Sequence, residues 1–63
     1  MNLERINRVI FTSEYSVEEL SKMLKVNENI LKAKINGKVE FNVEEIINLI
    51  EILNIRNPKE IFY

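Results

Sequence analysis

Residues 17–38 read VEELSKMLKVNENILKAKINGK, and the spacing of the apolar positions in this stretch decides the fold. Val17, Leu20, Met23 and Leu24 recur at the three- and four-residue intervals of a helix that faces a core. Ser16 stands just ahead of them, with Glu19 three residues on. In that arrangement a cap hydroxyl and a carboxylate satisfy the free N–H groups of a first helical turn. Only Lys25 and Val26 separate this helix from Asn27, a residue suited to cap the next one. The next helix carries Ile30, Leu31 and Ile35 and stops at Asn36-Gly37, both of which tolerate the left-handed backbone at a helix end. Two short helices so closely joined form a helix-turn-helix pattern over about residues 17–36.

The same cap signal recurs at Asn42-Val43-Glu44-Glu45 and at Asn57-Pro58-Lys59-Glu60, where Pro58 takes a position whose N–H would be unpaired anyway. Leu3, Ile6, Val9 and Ile10 predict a first helix from about residue 3 to residue 11, followed by a connection from Thr12 to Tyr15. Val43, Ile46, Ile47, Leu49, Ile50 and Leu53 predict a fourth helix ending near Asn54, and a short fifth turn runs from Pro58 to about Phe62. No hairpin signal or sustained alternation points to a sheet. The expected architecture is all-α: one domain, residues 1–63, built as a bundle of five short helices around the helix-turn-helix.

Composition narrows the function. A chain of 63 residues buries only about 60% of the surface its unfolded form exposes, so it depends on good caps and tight packing. It contains no Cys and no His, which removes disulfides, thiolate nucleophiles and the usual zinc ligands together. No metal site and no cofactor are expected. A single Gly leaves nothing for a glycine-rich phosphate cradle. So small a domain also offers little concave volume for a small-molecule substrate. An enzyme is not expected; a binding module is. No stretch approaches the ~18 apolar residues of a membrane span. The first residues, MNLERINRVIF, carry charges within a periodic pattern and have no small-residue cleavage site, so they do not read as a signal peptide. The expectation is a cytoplasmic protein with no membrane partner.

Within this frame, residues 17–38 resemble the Xre/Cro-type helix-turn-helix of phage and bacterial repressors. Val26 matches the apolar residue of the family's turn, Leu31 the buried residue of its recognition helix, and Asn36-Gly37-Lys38 its terminal Asn-Gly followed by a basic residue. The resemblance continues through NVEEIINLIEILNI, similar to the family's fourth helix, and NPKEIF, similar to its short fifth. An NGKVEF-like stretch ahead of the fourth helix is a feature of small phage-encoded regulators. Two positions depart from the pattern: Lys25 stands where the turn usually carries Gly, and Lys34 stands where an apolar residue is usual. The resemblance implies a lambda-repressor-like fold and a transcriptional regulator in the cytoplasm of a bacterial host. It further implies a double-stranded DNA operator as partner, bound as a homodimer, with the recognition helix, about residues 28–35, in the major groove.

Placed at about 100° per residue, the recognition helix divides into two faces. Glu28, Asn29, Lys32, Ala33 and Asn36 fall on one; Ile30, Leu31, Lys34 and Ile35 fall on the other. Any amphipathic helix has a solvated polar face, but the residues on this one suit base edges. Asn29 can pair with adenine, Lys32 can donate to guanine, Ala33 can pack on a thymine methyl, and Glu28 can accept from the cytosine amine. Glu28 also favours the helix dipole from the first turn, and this structural role is expected to dominate. Lys25, Lys34, Asn36 and Lys38 are the candidate phosphate contacts. For Lys34 the reading is a stem lying along Ile30 and Leu31 with its ammonium reaching solvent or phosphate.

The formal net charge is only -1, yet it is unevenly spread. Residues 22–38 hold five Lys against one Glu, a local charge of +4, between flanks of -2 and -3. That basic patch is the footprint expected of a nucleic-acid module. With Lys25, Lys34 and Lys38 on phosphates the salt slope would be roughly -3 per protomer, which is why a two-fold dimer is expected. Ile61 and Phe62 read as core, leaving Tyr63 and the outer face of the last turn for a partner. The acidic flanks and the two departures support an alternative: a protein-binding module on the same fold, an anti-repressor or adaptor with a regulatory protein as partner. An antitoxin-like regulator fits less well, for want of a separate toxin-binding tail.

Overall fold

The computed structural model describes residues 2–62, without the side chains of Glu60 and Phe62. Four helices, α1 (Leu3–Thr12), α2 (Val17–Leu24), α3 (Glu28–Ile35) and α4 (Val43–Ile52), are followed by a single helical turn, α5 (Lys59–Phe62). No strand occurs among the described residues.

Each of the four helices starts on a side-chain cap. Asn2 Oδ1 accepts from Arg5 N at 3.1 Å, a cap that the sequence pattern had not singled out. Ser16 and Glu19 form a complete capping box, with the Glu19 N–H on Ser16 Oγ at 3.1 Å and the Ser16 N–H on Glu19 Oε1 at 2.9 Å. The Ser16 backbone N–H, then the Ser16 hydroxyl, hold the Glu19 carboxyl below its ordinary value. Asn27 accepts from Asn29 N at 2.7 Å. Asn42 and Glu45 close a second box at 2.7 and 2.9 Å. The third expected box, at Asn57, turns on the Glu60 side chain and lies outside the described residues.

The ends of α2, α3 and α4 share one geometry. In each, a residue with positive φ follows the helix, and the next residue's N–H reaches back to a carbonyl five positions earlier: Val26 to Ser21 (2.9 Å), Lys38 to Ala33 (2.9 Å) and Ile55 to Ile50 (3.0 Å). The residues in the left-handed position are Lys25 (φ 60°), Gly37 (φ 80°) and Asn54 (φ 53°). Lys25 thus adopts the conformation that Gly would supply without strain.

Ile6 and Ile10 of α1, Leu20 and Leu24 of α2, Leu31 and Ile35 of α3, Ile46 and Leu49 of α4, Phe41 before α4 and Ile61 of α5 make one buried cluster. Ile61 is core, as its place in the sequence suggests, and its carbonyl accepts from Asn2 N at 2.6 Å, tying the two ends of the fold together. Val43 and Ile47 of α4 and Met23 of α2 are exposed instead. The run in α4 has more apolar residues than one stripe needs. Since neighbours stand about 100° apart on a helix, burying Ile46 and Leu49 turns Val43 and Ile47 outward. The Cα radius of gyration is 10.5 Å, against about 11 Å for a well-packed chain of this length.

Candidate nucleic-acid interface

The turn between α2 and α3 is built from both sides. The left-handed Lys25 reverses the chain, partly buried Val26 packs against the core, and Asn27 caps α3. Three residues therefore suffice to change direction. α3 buries Leu31 and Ile35, which leaves an open arc of its surface to solvent.

On that arc stand Asn29 and Lys32, both exposed, with Glu28 and Ala33 partly buried. Ile30, which the helical wheel assigns to the inner face, is 49% exposed. It lies at the edge of that face, and Lys34 takes the buried place beside it. The open arc therefore carries an apolar side chain next to Ala33 that the two-face division misses. The wheel angle alone gives no sign of this, since Ile35 falls nearer the polar face than Ile30 does and is buried. Glu28 Oε2 and Lys32 Nζ form an ion pair at 2.9 Å. Asn36 and Lys38 are exposed beyond the end of α3, and Lys25 is exposed ahead of its start.

Lys34 corrects the sequence reading. It is 7% exposed, and its ammonium turns inward to Glu45 Oε2 of α4, so it neither snorkels to solvent nor reaches a phosphate. The physical reason is local. Its position falls between Ile30 and Leu31 on the inner arc, and Glu45, held by the α4 capping box through Oε1, offers Oε2 to the ammonium. A buried amine without that carboxylate would carry an uncompensated charge. From the other side, Asn7 Nδ2 of α1 donates to the Ile35 carbonyl at 2.8 Å, filling an acceptor at the end of α3, while its buried Oδ1 has no hydrogen-bond partner among the described residues. Gly37 lies against α1 as well, where a Cβ would stand 3.2 Å from Leu3 Cδ2. The last turn of α3 is thus fixed between α1 and α4. Sequence spacing assigned Glu45 only to its capping box and gave no sign of Asn7.

The charge of the basic segment is mostly spoken for. Of its five lysines, Lys22 pairs with Glu18, Lys32 with Glu28 and Lys34 with Glu45. Lys25 and Lys38, at the two ends of α3, are exposed and make no ion pair among the described residues. Among the described residues, no group of three or more His, Cys, Asp or Glu could hold a metal ion, and no helix is long and apolar enough to cross a membrane. No protein-family model matches the chain, and neither a curated protein nor a solved structure matches it.

Proposed function

We propose that this chain is a sequence-specific, double-stranded-DNA-binding transcriptional regulator of the Xre/Cro repressor type. In this reading α2 and α3 form its helix-turn-helix, and α3 lies in the major groove. One observation carries the reading: α3 exposes a short arc of base-compatible side chains, and Lys25 and Lys38 bracket that arc as exposed cations with no ion pair among the described residues. Base readout falls to Glu28, Asn29, Lys32 and Ala33, with Ile30 added as an apolar contact for a thymine methyl. Phosphate contact falls to Lys25 and Lys38, with the neutral Asn36 as a hydrogen-bonding aid. Two cations give a salt slope of roughly -2 per protomer, so binding as a two-fold homodimer on paired half-sites is part of the proposal. Tyr63, an expected dimer residue, lies outside the described residues, as does the Phe62 side chain.

Selection of the purified chain against a randomised duplex pool at ~0.1 M salt, where a few phosphate contacts still hold, tests the reading. A short enriched motif, paired at about one helical turn, is the expected result. A folded protein that enriches nothing would sink it. The second reading, a protein-binding module engaging another regulator, draws on exposed Val43 and Ile47 of α4 and on the neutralisation of three of the five lysines. Asn29→Ala with Lys32→Ala separates the two. The pair of changes removes sequence preference from a DNA reader, and leaves untouched a partner bound on α4 and α5.

A further inference from the structure

We propose that Glu28 and Lys32 work as one unit that reads a single G·C base pair. The inference rests on α3 entering the major groove and adds the base pair it selects. Among the described residues, three exposed ion pairs join residues four apart on a helix. Glu4–Arg8 and Glu18–Lys22 stand at 3.9 and 3.5 Å, on highly exposed side chains. Glu28–Lys32 is the tight one, at 2.9 Å, with the side chains 39% and 55% exposed. It is also the pair that lies on the open arc of α3.

The geometry of this pair matches the middle of a G·C pair. There the guanine O6 acceptor and the cytosine N4 donor are hydrogen-bonded to each other at about 2.9 Å, and both keep bonding capacity toward the major groove. Lys32 Nζ has three protons. One is held by Glu28 Oε2; the other two serve O6 and N7 of one guanine. Glu28 Oε2, which keeps a second lone pair, takes the groove-facing proton of the cytosine N4 amine. Each charge is then satisfied by its neighbour and by the base pair, so the carboxylate enters the groove already neutralised by an ammonium.

The same code rejects the other three pairs. C·G and A·T present the central acceptor and donor in reverse order, setting acceptor against carboxylate and donor against ammonium. T·A keeps the central order, but its methyl group takes the place of guanine N7, and adenine N7 brings a lone pair up to the carboxylate. The unit has a direction as well, because Glu28 precedes Lys32 by one helical turn.

The test starts from the motif that the full chain enriches from the randomised duplex pool. One position should require G·C, with each replacement weakening binding roughly 5- to 150-fold. Exchanging the residues, Glu28→Lys with Lys32→Glu, keeps net charge and pair and should invert the preference there to C·G. Placing N4-methylcytosine at that position, which covers the groove-facing proton and leaves pairing intact, should weaken the unaltered protein and not the Glu28→Ala variant. Circular dichroism confirms that each variant is folded; if the exchanged protein is not, the modified base decides with the unaltered chain. An enriched motif in which no G·C position answers to the exchange or to the modified base overturns the proposal and leaves DNA binding standing. If the folded protein enriches no motif, the DNA reading falls and this proposal falls with it.

Discussion

The two sides of α3 carry the same chemistry to different ends. Outside, Glu28 and Lys32 pair across one turn in contact with water; inside, Lys34 reaches Glu45 of α4 out of reach of water. An exposed pair of this kind contributes about 0.3–0.5 kcal/mol, because water screens it and already solvates each partner. A buried pair adds little over an apolar pair of the same volume, yet losing one partner costs about 3–5 kcal/mol, since the other charge is stranded. The inner pair therefore fixes where α3 sits. The outer pair is free to be spent on recognition. Burial alone makes the difference.

The largest effect expected is from breaking the inner pair. Lys34→Ala or Glu45→Ala should each cost about 3–5 kcal/mol, in a chain whose whole stability is of order 3–9 kcal/mol. Either variant should unfold at a markedly lower urea concentration and a markedly lower melting temperature than the unaltered protein. An unchanged melt would mean that water reaches the pair and that the two sides of α3 are alike. Replacing both residues, Lys34→Met with Glu45→Met, should return stability to within about 1–2 kcal/mol of the unaltered protein. The remaining deficit comes from the lost bond to the Asn42 N–H. If the double variant were as unstable as either single one, stranded charge would not be the cause.

The helix ends sharpen the contrast at smaller scale. Gly37 and Lys25 occupy the same left-handed position after α3 and α2. Gly37→Ala should destabilise by about 1–2 kcal/mol, from the backbone penalty together with the crowded approach to Leu3. Lys25→Gly should stabilise by up to about 1 kcal/mol, because it removes that penalty. In the proposed complex the same change also takes away a phosphate contact, so the salt slope should fall by about 0.9 per protomer. A more stable protein with an unaltered slope would remove Lys25 from the interface.

The positions of the helices were legible because caps and apolar spacing are local signals. Ser16, Asn27 and Asn42 each mark a start that the structure places at the next residue. The two positions that depart from the resembled pattern, Lys25 and Lys34, each have a structural account. Lys25 adopts a left-handed backbone, and Lys34 is buried. What could not be read was pairing across distance. Nothing in the spacing tells Lys34 that Glu45 waits inside, so an amine on an inner arc reads as one that must escape to water. Asn7, 28 residues from the carbonyl it bonds, leaves no mark in a periodic pattern.

The smallest stability effect carries the sharpest functional one. Lys32→Ala removes an exposed ion pair and should shift stability by no more than about 0.5 kcal/mol, a change of a few degrees or less in melting temperature. The helix keeps its cap at Asn27 and its buried Leu31 and Ile35, none of which touches the outer pair's energetics. Glu28→Ala should cost slightly more, because the carboxylate also favours the positive end of α3. In the proposed complex the removal of Glu28 forfeits the bond to the cytosine amine and leaves the Lys32 charge uncompensated toward phosphate. Total affinity then changes little, whereas discrimination at one base pair falls. Measuring affinity on a single duplex would therefore miss the effect; the ratio between the G·C duplex and its C·G inversion reveals it. If Lys32→Ala instead unfolded the protein, the outer pair would be structural like the inner one, and α3 would have no side free for recognition.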